Sequence, residues 1–259
     1  MLLAGIQLRD KLVRLGRRVV WPRPALYAPC GMLRHGFNVF SSAYEVYIDG
    51  FPRSGNTFAL TAFMLANPDA LVRSHRHIPT FIVQSVKRRK PGMVLLRNPI
   101  DAASSWSIHE AWPFRQSLAY YVDFHSVLLR HRERLFFVSF EEVIEDFGRV
   151  IANFNRYWGS AFAPFQHTTE NVARCFAQIE SEHTKTEGQM LELRVPRPSS
   201  CRQELKRKLL SQLRTSAALQ TELRRADELY QKLVPKHFPQ KPRPALAKTT
   251  QSIRLRAAG

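Results

Sequence analysis

The sequence has few cysteines and no long apolar run. Among its 259 residues, Cys30, Cys175 and Cys201 are the only cysteines, and they are widely spaced. An odd count without a Cys-x-x-Cys pair argues against a disulfide framework and against a structural zinc site, and favours a reducing, cytoplasmic compartment. No stretch approaches the roughly eighteen apolar residues that would predict a transmembrane helix.

Acidic residues are also scarce. The chain has 39 lysines and arginines against 21 aspartates and glutamates, which gives a formal net charge of +18. Such an excess predicts an anionic partner: a nucleotide, a polyanion, a nucleic acid or an acidic membrane. The alternative is a basic surface that only aids solubility, since the cations are spread over the whole chain. We expect no specific nucleic acid, because the chain has no recognition-helix motif and no aromatic-plus-basic RNA signature.

Residues 1–40 are predicted to be a basic segment followed by a proline-rich linker. Arginine and lysine interrupt any apolar core of a signal peptide in residues 1–20. Apolar residues recur there at helical spacing, namely Leu8, Leu12, Leu15 and Val19. This spacing fits a helix that packs on the domain, a disordered segment, or an amphipathic helix in peripheral contact with an anionic membrane. The prolines of residues 21–31 predict a linker.

Residues 41–238 are predicted to form one domain, in which apolar runs alternate with helical patterns as far as residue 159. We predict strands at 44–49, 70–75, 92–97 and 134–140, and helices at 57–66, 79–89, 101–112, 116–131 and 141–159. This alternation predicts an α/β fold, a single three-layer domain with a central, mostly parallel sheet covered by helices.

The pattern changes after about residue 160. Residues 168–182 and 202–233 read as helices, with a break near Thr215 in the second. Residues 183–200 have mixed signals and are predicted to form an ordered loop or lid. The tail, residues 239–259, is predicted to be disordered.

The segment VYIDGFPRSGNTF (46–58) has the outline of a phosphate-binding loop but lacks its lysine. In a nucleotide-hydrolysing loop a lysine follows the second glycine; here Asn56 follows Gly55, and the nearest cation is Arg53. The strand GMVLL ends in Arg97 rather than in a metal-binding aspartate. Both differences favour a transferred group that needs less metal neutralisation, such as a sulfuryl group, and no metal is expected. The alternative is a tight turn without a ligand.

Four segments, spanning residues 44–147, resemble the sulfotransferases that use 3′-phosphoadenosine 5′-phosphosulfate (PAPS). FPRSGNTF resembles their 5′-phosphosulfate loop. LLRNPIDAASSW resembles their 3′-phosphate motif, in which an arginine ends a strand and a serine follows eight positions later. RHIPT and VSFEEVIED resemble two further family segments, in the family's order. The resemblance implies a P-loop-like fold and sulfuryl transfer from PAPS to a hydroxyl or amine of a small-molecule or glycan acceptor.

The resemblance also implies which residues bind PAPS. The 5′-phosphosulfate would be surrounded by Arg53, Ser54, Gly55, Asn56, Thr57 and Phe58. The 3′-phosphate would be bound by Arg97 and Ser105. Arg53 would stabilise the bridging oxygen electrostatically, because a guanidinium does not act as a general acid. For Arg97 the alternative is an ion pair with Asp101 or Glu141.

His77 matches the family's general base, whose pKa suits proton removal near neutral pH. His75 is its rival, because alternation along an extended strand would put both rings on one face. The family's C-terminal Arg-Lys-Gly segment, which closes over the cofactor, is absent. Its nearest equivalents are Arg194 and Arg197, which could equally be solvated loop arginines.

Two other functions fit the same sequence. A P-loop kinase for a small molecule would use the same loop, although the missing lysine and the missing strand-end acid count against it. A non-catalytic polyanion-binding module would use the charge alone.

Overall fold

Four apolar runs form one parallel sheet. Its strands are β1 (Val46–Gly50), β2 (Val72–Arg73), β3 (Gly92–Leu96) and β4 (Phe136–Ser139), in the order β2-β1-β3-β4. Ile48 pairs with Met93, and Leu95 pairs with Val138. The structure is a computed structural model that describes residues 2–35, 41–187 and 200–235, with side chains for 11–33, 41–182 and 202–235.

Helices precede, connect and follow the strands. They are α1 (Leu2–Val20), α2 (Pro24–His35), α3 (Asn56–Ala66), α4 (Pro79–Lys87), α5 (Pro99–Glu110), α6 (Phe114–Leu129), α7 (Phe140–Glu145), α8 (Phe147–Trp158), α9 (Thr169–Glu187), α10 (Ser200–Thr215) and α11 (Ala217–Leu233). A 3-10 turn (Arg132–Arg134) leads into β4. Among the described residues, none of these helices has both the length and the apolar character needed to cross a membrane.

The sheet is buried on both faces, as its uninterrupted apolar strands predict. Tyr47 and Val94 point into one hydrophobic core, which α4, α6 and α11 complete. Ile48 and Leu95, one residue further along each strand, point into the other core with α3 and α8. The predicted α/β fold, a parallel sheet with a layer of helices on each side, is confirmed.

Residues 21–31 differ from the predicted linker. Trp21 and Tyr27 are buried, and Tyr27 packs edge-to-face on Phe81 with ring centroids 5.6 Å apart. Pro24 occupies the first position of α2, where a helix needs no backbone N–H. Pro24 therefore starts a short helix here, with Pro29 inside it, instead of an extended connection, and aromatic burial holds that helix on the domain.

The predicted helix over residues 141–159 is two helices. Asp146 has an extended backbone between α7 and α8, and its side chain accepts the N–H of Arg149 at 2.9 Å. An aspartate placed to cap a new helix thus interrupts the apolar pattern. Arg194, Arg197, most of the predicted lid and the tail at 239–259 lie outside the described residues.

Candidate active site

The loop between β1 and α3 starts and ends on glycines with different roles. A Cβ on Gly50 would lie 2.3 Å from the carbonyl oxygen of Leu95, so close strand pairing requires this glycine. Gly55 has a φ of 89°, in the left-handed region that glycine adopts most readily. It turns the chain directly into α3 at Asn56.

Helix α3 begins without a side-chain cap and without an acid in its first turn. The N–H groups of a first turn have no partner inside the helix, and the helix dipole adds partial positive charge there. The hydroxyl of Ser54 is buried and has no hydrogen-bond partner among the described residues. Such an uncapped start is suited to binding an anion.

Two residues predicted to bind the cofactor instead use their side chains inside the protein. The Asn56 amide donates to the carbonyl oxygen of Phe51 at 2.9 Å, which holds the loop closed on itself. Phe58 is buried, with its ring against Phe147 and Phe165. The Phe58 ring packs in the core because it is apolar and faces inward from α3, and cofactor binding by Phe58 stays a prediction for its backbone. Each residue contributes only its backbone N–H to the helix start.

Three arginines and Ser105 of α5 form one hydrogen-bonded cluster. Nε of Arg53 donates to Ser105 Oγ at 3.1 Å, and Nη2 of Arg202 donates to the same oxygen at 2.8 Å. Nη1 of Arg97 donates to the carbonyl oxygen of Arg53 at 2.9 Å. The loop, the end of β3 and helix α10 thus each supply one guanidinium to a single cluster.

The cluster is electrostatically strained. Burial, followed by repulsion from Arg202 and Arg97, lowers the pKa of Arg53 to about 10. Burial likewise lowers the pKa of Arg97, against the opposing effect of Asp101 and Glu141. A bound anion would relieve both effects, because it supplies the negative charge that buried cations require.

The surroundings of Arg97 test the alternative prediction that it forms an ion pair with Asp101 or Glu141. Asp101 pairs with Lys206 of α10, and in the described part of the chain Arg97 forms no salt bridge of its own. Its guanidinium carbon lies 4.2 Å from the centre of the Phe140 ring, and its Nε is buried without a described partner. The ion pair with Asp101 or Glu141 is therefore not formed.

A buried aspartate of β1 holds His77. Oδ1 of Asp49 lies 2.9 Å from His77 Nδ1, and Oδ2 accepts the backbone N–H groups of Arg76 and His77 at 2.8 and 3.0 Å. The Asp49 side chain is fully buried. Tyr120 donates its hydroxyl to the carbonyl oxygen of His77 at 2.8 Å. Both the ring and the backbone of His77 are thus fixed.

This pairing changes the ionisation of both groups. Burial alone lowers the pKa of His77, but the Asp49 carboxylate reverses this, so the pKa is raised; Arg53 opposes the rise. Burial alone raises the pKa of Asp49, but His77 and neighbouring backbone N–H groups reverse this, so the pKa is lowered. The effect of Arg53 places His77 within electrostatic reach of the arginine cluster.

His75 lies beside His77 but in a different environment. Its Nε2 is 3.2 Å from Thr57 Oγ1, and its Nδ1 is 3.1 Å from Ser74 Oγ. Burial, then the neighbouring His77, lowers its pKa. The two ring centroids are 5.5 Å apart. His75 therefore connects to the loop through Thr57, whereas His77 connects to Asp49.

The prediction that alternation along an extended strand puts His75 and His77 on one face is wrong. Strand β2 ends at Arg73, and His75 and His77 have φ angles of 54° and 50°, so neither residue is extended. Arg53 also has a positive φ, of 66°. The other described non-glycine residues with positive φ, Arg89 and Ala111, follow helix ends. Left-handed non-glycine residues cost about 1–3 kcal/mol each and cluster at functional sites.

Asp49 and Arg202 are the members of this site that sequence reasoning missed. Asp49 had a signal: a charged residue inside an otherwise apolar strand needs a partner. Arg202 lies 97 positions from Ser105 in the chain, and only the path of α10 brings the two together. Among the described residues, no group of three or more His, Cys, Asp or Glu side chains is placed to hold a metal ion.

Comparison with known proteins gives a distant likeness among solved structures. No protein-family model matches the chain, and no curated protein matches its sequence. Among solved structures, the chain is similar to a mouse sulfotransferase in complex with PAP, with 15% sequence identity and a TM-score of 0.40 over 69% of this chain and 88% of the mouse protein. A likeness this distant carries no weight in assigning a function.

Proposed function

We propose that the chain is a sulfotransferase that moves a sulfuryl group from PAPS to a hydroxyl or amine acceptor. One observation carries the proposal: Arg53 and Arg202 meet at Ser105, and Arg97 binds the carbonyl oxygen of Arg53, beside an uncapped helix start. PAPS carries anionic groups at both its 5′ and 3′ positions. A cluster that extends from the loop to α5 and α10 offers cations for both.

The residues divide between the two anionic groups. The start of α3, with Arg53 and Thr57, would hold the 5′-phosphosulfate, where PAPS supplies the activated sulfuryl group. Arg97, Ser105 and Arg202 would hold the 3′-phosphate. A guanidinium binds phosphate oxygens with two parallel N–H groups, so arginine suits both positions. Arg53 would also offset negative charge on the departing phosphate.

His77 would act as the general base. When its Nδ1–H donates to Asp49, the lone pair on Nε2 is left to accept a proton. The proton of the acceptor's hydroxyl or amine would pass to Nε2, and the acceptor atom would form the new bond to sulfur. The bond between sulfur and the bridging oxygen would break, and PAP would leave with that electron pair. Asp49 would stabilise the imidazolium and hold the ring, without touching the acceptor.

The wider setting is part of the proposal. The acceptor would be a small molecule or a glycan, and the compartment cytoplasmic.

Transfer assays with two donors test this function. The full chain is incubated with sulfur-labelled PAPS and a panel of phenols, alcohols, amines and glycans in excess chelator. We expect label transfer to at least one acceptor class, and transfer about 10²–10⁴-fold slower with His77→Ala. Phosphoryl transfer from ATP that requires magnesium, without any sulfuryl transfer, would instead make the chain a kinase.

A further inference from the structure

Helix α1 packs on the domain with its charged side. Nη1 of Arg14 donates to Glu222 Oε1 at 2.7 Å. Arg14, Arg17 and Arg18 also surround Asp123 of α6 at 3.4 to 3.9 Å, and Asp123 is almost fully buried. An amphipathic helix on a globular domain ordinarily turns its apolar side inward. Here ion pairs fix the helix, and its apolar side is left outward.

The outward side of α1 carries leucine and valine. Leu12, Leu15 and Val19 follow the i, i+3, i+7 spacing of one helix face, and both leucines are 59% exposed. Leu33 of α2 is 90% exposed. Residues 12–33 hold most of the exposed large hydrophobic side chains of the described chain, namely Leu12, Val13, Leu15, Val19, Leu26, Met32 and Leu33. We call these residues the α1–α2 surface.

Cations accompany this surface. Residues 1–35 contain the single acid Asp10, against seven cations: Arg9, Lys11, Arg14, Arg17, Arg18, Arg23 and Arg34. Lys11 and Arg23 are exposed, and the side chain of Arg18 is 57% exposed although it faces Asp123. Apolar side chains bordered by cations are the pattern that interfacial helices present to anionic lipid.

We propose that the α1–α2 surface docks on an anionic lipid bilayer. Leu12, Leu15 and Leu33 enter the boundary between headgroups and acyl chains. Lys11, Arg18 and Arg23 face the lipid phosphates, each cation adding attraction to the negative leaflet. A second copy of the chain fits less well, because pairing two such surfaces would bring like charges together. The proposal is independent of the sulfotransferase function.

Vesicle sedimentation of the full chain tests the proposal. Vesicles of phosphatidylcholine with phosphatidylserine are compared with phosphatidylcholine alone. The chain should bind the anionic vesicles at least about tenfold more tightly, and Lys11→Gln should weaken that binding about fivefold. The double variant Leu12→Gln/Leu15→Gln should weaken it at least about tenfold, because the buried apolar area is lost.

The matched control is Leu71→Gln/Ile144→Gln, whose side chains are 57% and 52% exposed but lie outside the α1–α2 surface. It should bind as the unmodified chain does, and circular dichroism should show all variants folded. Absent binding to anionic vesicles, equal binding to both vesicle types, or equal losses in both double variants would overturn the proposal. Self-association without lipid that Leu12→Gln/Leu15→Gln abolishes, with no vesicle binding, would make a second copy the occupant.

Discussion

Asp49 and His77 are joined through both oxygens of one carboxylate. Oδ1 faces the ring Nδ1 at 2.9 Å, and Oδ2 accepts the backbone N–H of the same histidine at 3.0 Å. This buried carboxylate, together with the carbonyl oxygen of Gly50 at 3.0 Å from Nδ1, holds the ring, and the carboxylate raises the pKa of the proposed base. The pH dependence of turnover is the most specific consequence.

Asp49→Asn should move the acidic limb of the pH–rate profile to lower pH. His77 must be deprotonated to accept a proton, and its pKa is raised above the ordinary 6.5, so activity is lost as the pH falls through that raised value. Without the carboxylate the pKa falls, and the limb moves with it. Maximal kcat should also fall, because the ring is less well held. A lower kcat with an unshifted limb would indicate that Asp49 supports only the fold.

His77→Ala should reduce kcat by about 10²–10⁴-fold while PAP binding stays nearly normal, because a base acts on the acceptor. His75→Ala is the matched control, because His75 lies two residues before His77 and its ring contacts Thr57. It should affect PAP binding more than the chemical step. If His75→Ala abolishes turnover and His77→Ala does not, the base is His75.

Arg97→Ala should weaken PAP binding by about 2–4 kcal/mol, because a partly buried charge-assisted contact is lost. Binding of the analogue without the 3′-phosphate should change little. Isothermal titration calorimetry with both ligands measures the difference. Equal losses for the two ligands would place Arg97 away from the 3′-phosphate.

Arg202→Ala should show the same ligand dependence, because Arg202 shares Ser105 with Arg53. The control is Arg214→Ala, an exposed arginine in the last turn of the same helix. It removes the same charge from α10 at a distance from the cluster. If both variants weaken PAP binding equally, net charge rather than position accounts for the loss.

His125 should make the protein acid-sensitive. It is fully buried, it faces the carbonyl oxygen of Tyr121 at 2.9 Å, and burial lowers its pKa to about 4. The pKa of His125 is lower in the folded state than its ordinary value of 6.5, so the free energy of unfolding is highest above pH 6.5. It falls by about 3 kcal/mol as the pH drops toward 4. The free energy of unfolding of His125→Phe, measured with denaturant at several pH values, should depend less steeply on pH. An unchanged slope would assign the acid sensitivity to other groups.

The strand and helix pattern was predictable because its signals are local. Apolar runs predicted β1, β3 and β4, and Gly55 with the polar residues around it predicted the turn into α3. Local signals failed at residues 21–31, where aromatic burial outweighed the prolines. They also failed at β2, where the chain leaves the extended conformation before His75.

The site was predictable only where a residue belongs to a short, recognisable sequence pattern. Arg53, Arg97 and Ser105 each belong to such a segment. Arg202 joins them through tertiary packing of α10, which no local pattern encodes. Asp49 was overlooked although a carboxylate in a buried strand is costly without partners. Burial without a partner is as costly for the Asp49 carboxylate as for the Arg97 guanidinium.

Calorimetric titration of the full chain with PAP against ADP tests the central claim most directly. Both nucleotides carry 5′-phosphate, but only PAP has the 3′-phosphate that Arg97, Ser105 and Arg202 are proposed to bind. We predict that PAP binds at least about 30-fold more tightly, the ratio that corresponds to about 2 kcal/mol, and that Arg97→Ala removes most of this preference. Equal affinities, or tighter binding of ADP, would contradict the account.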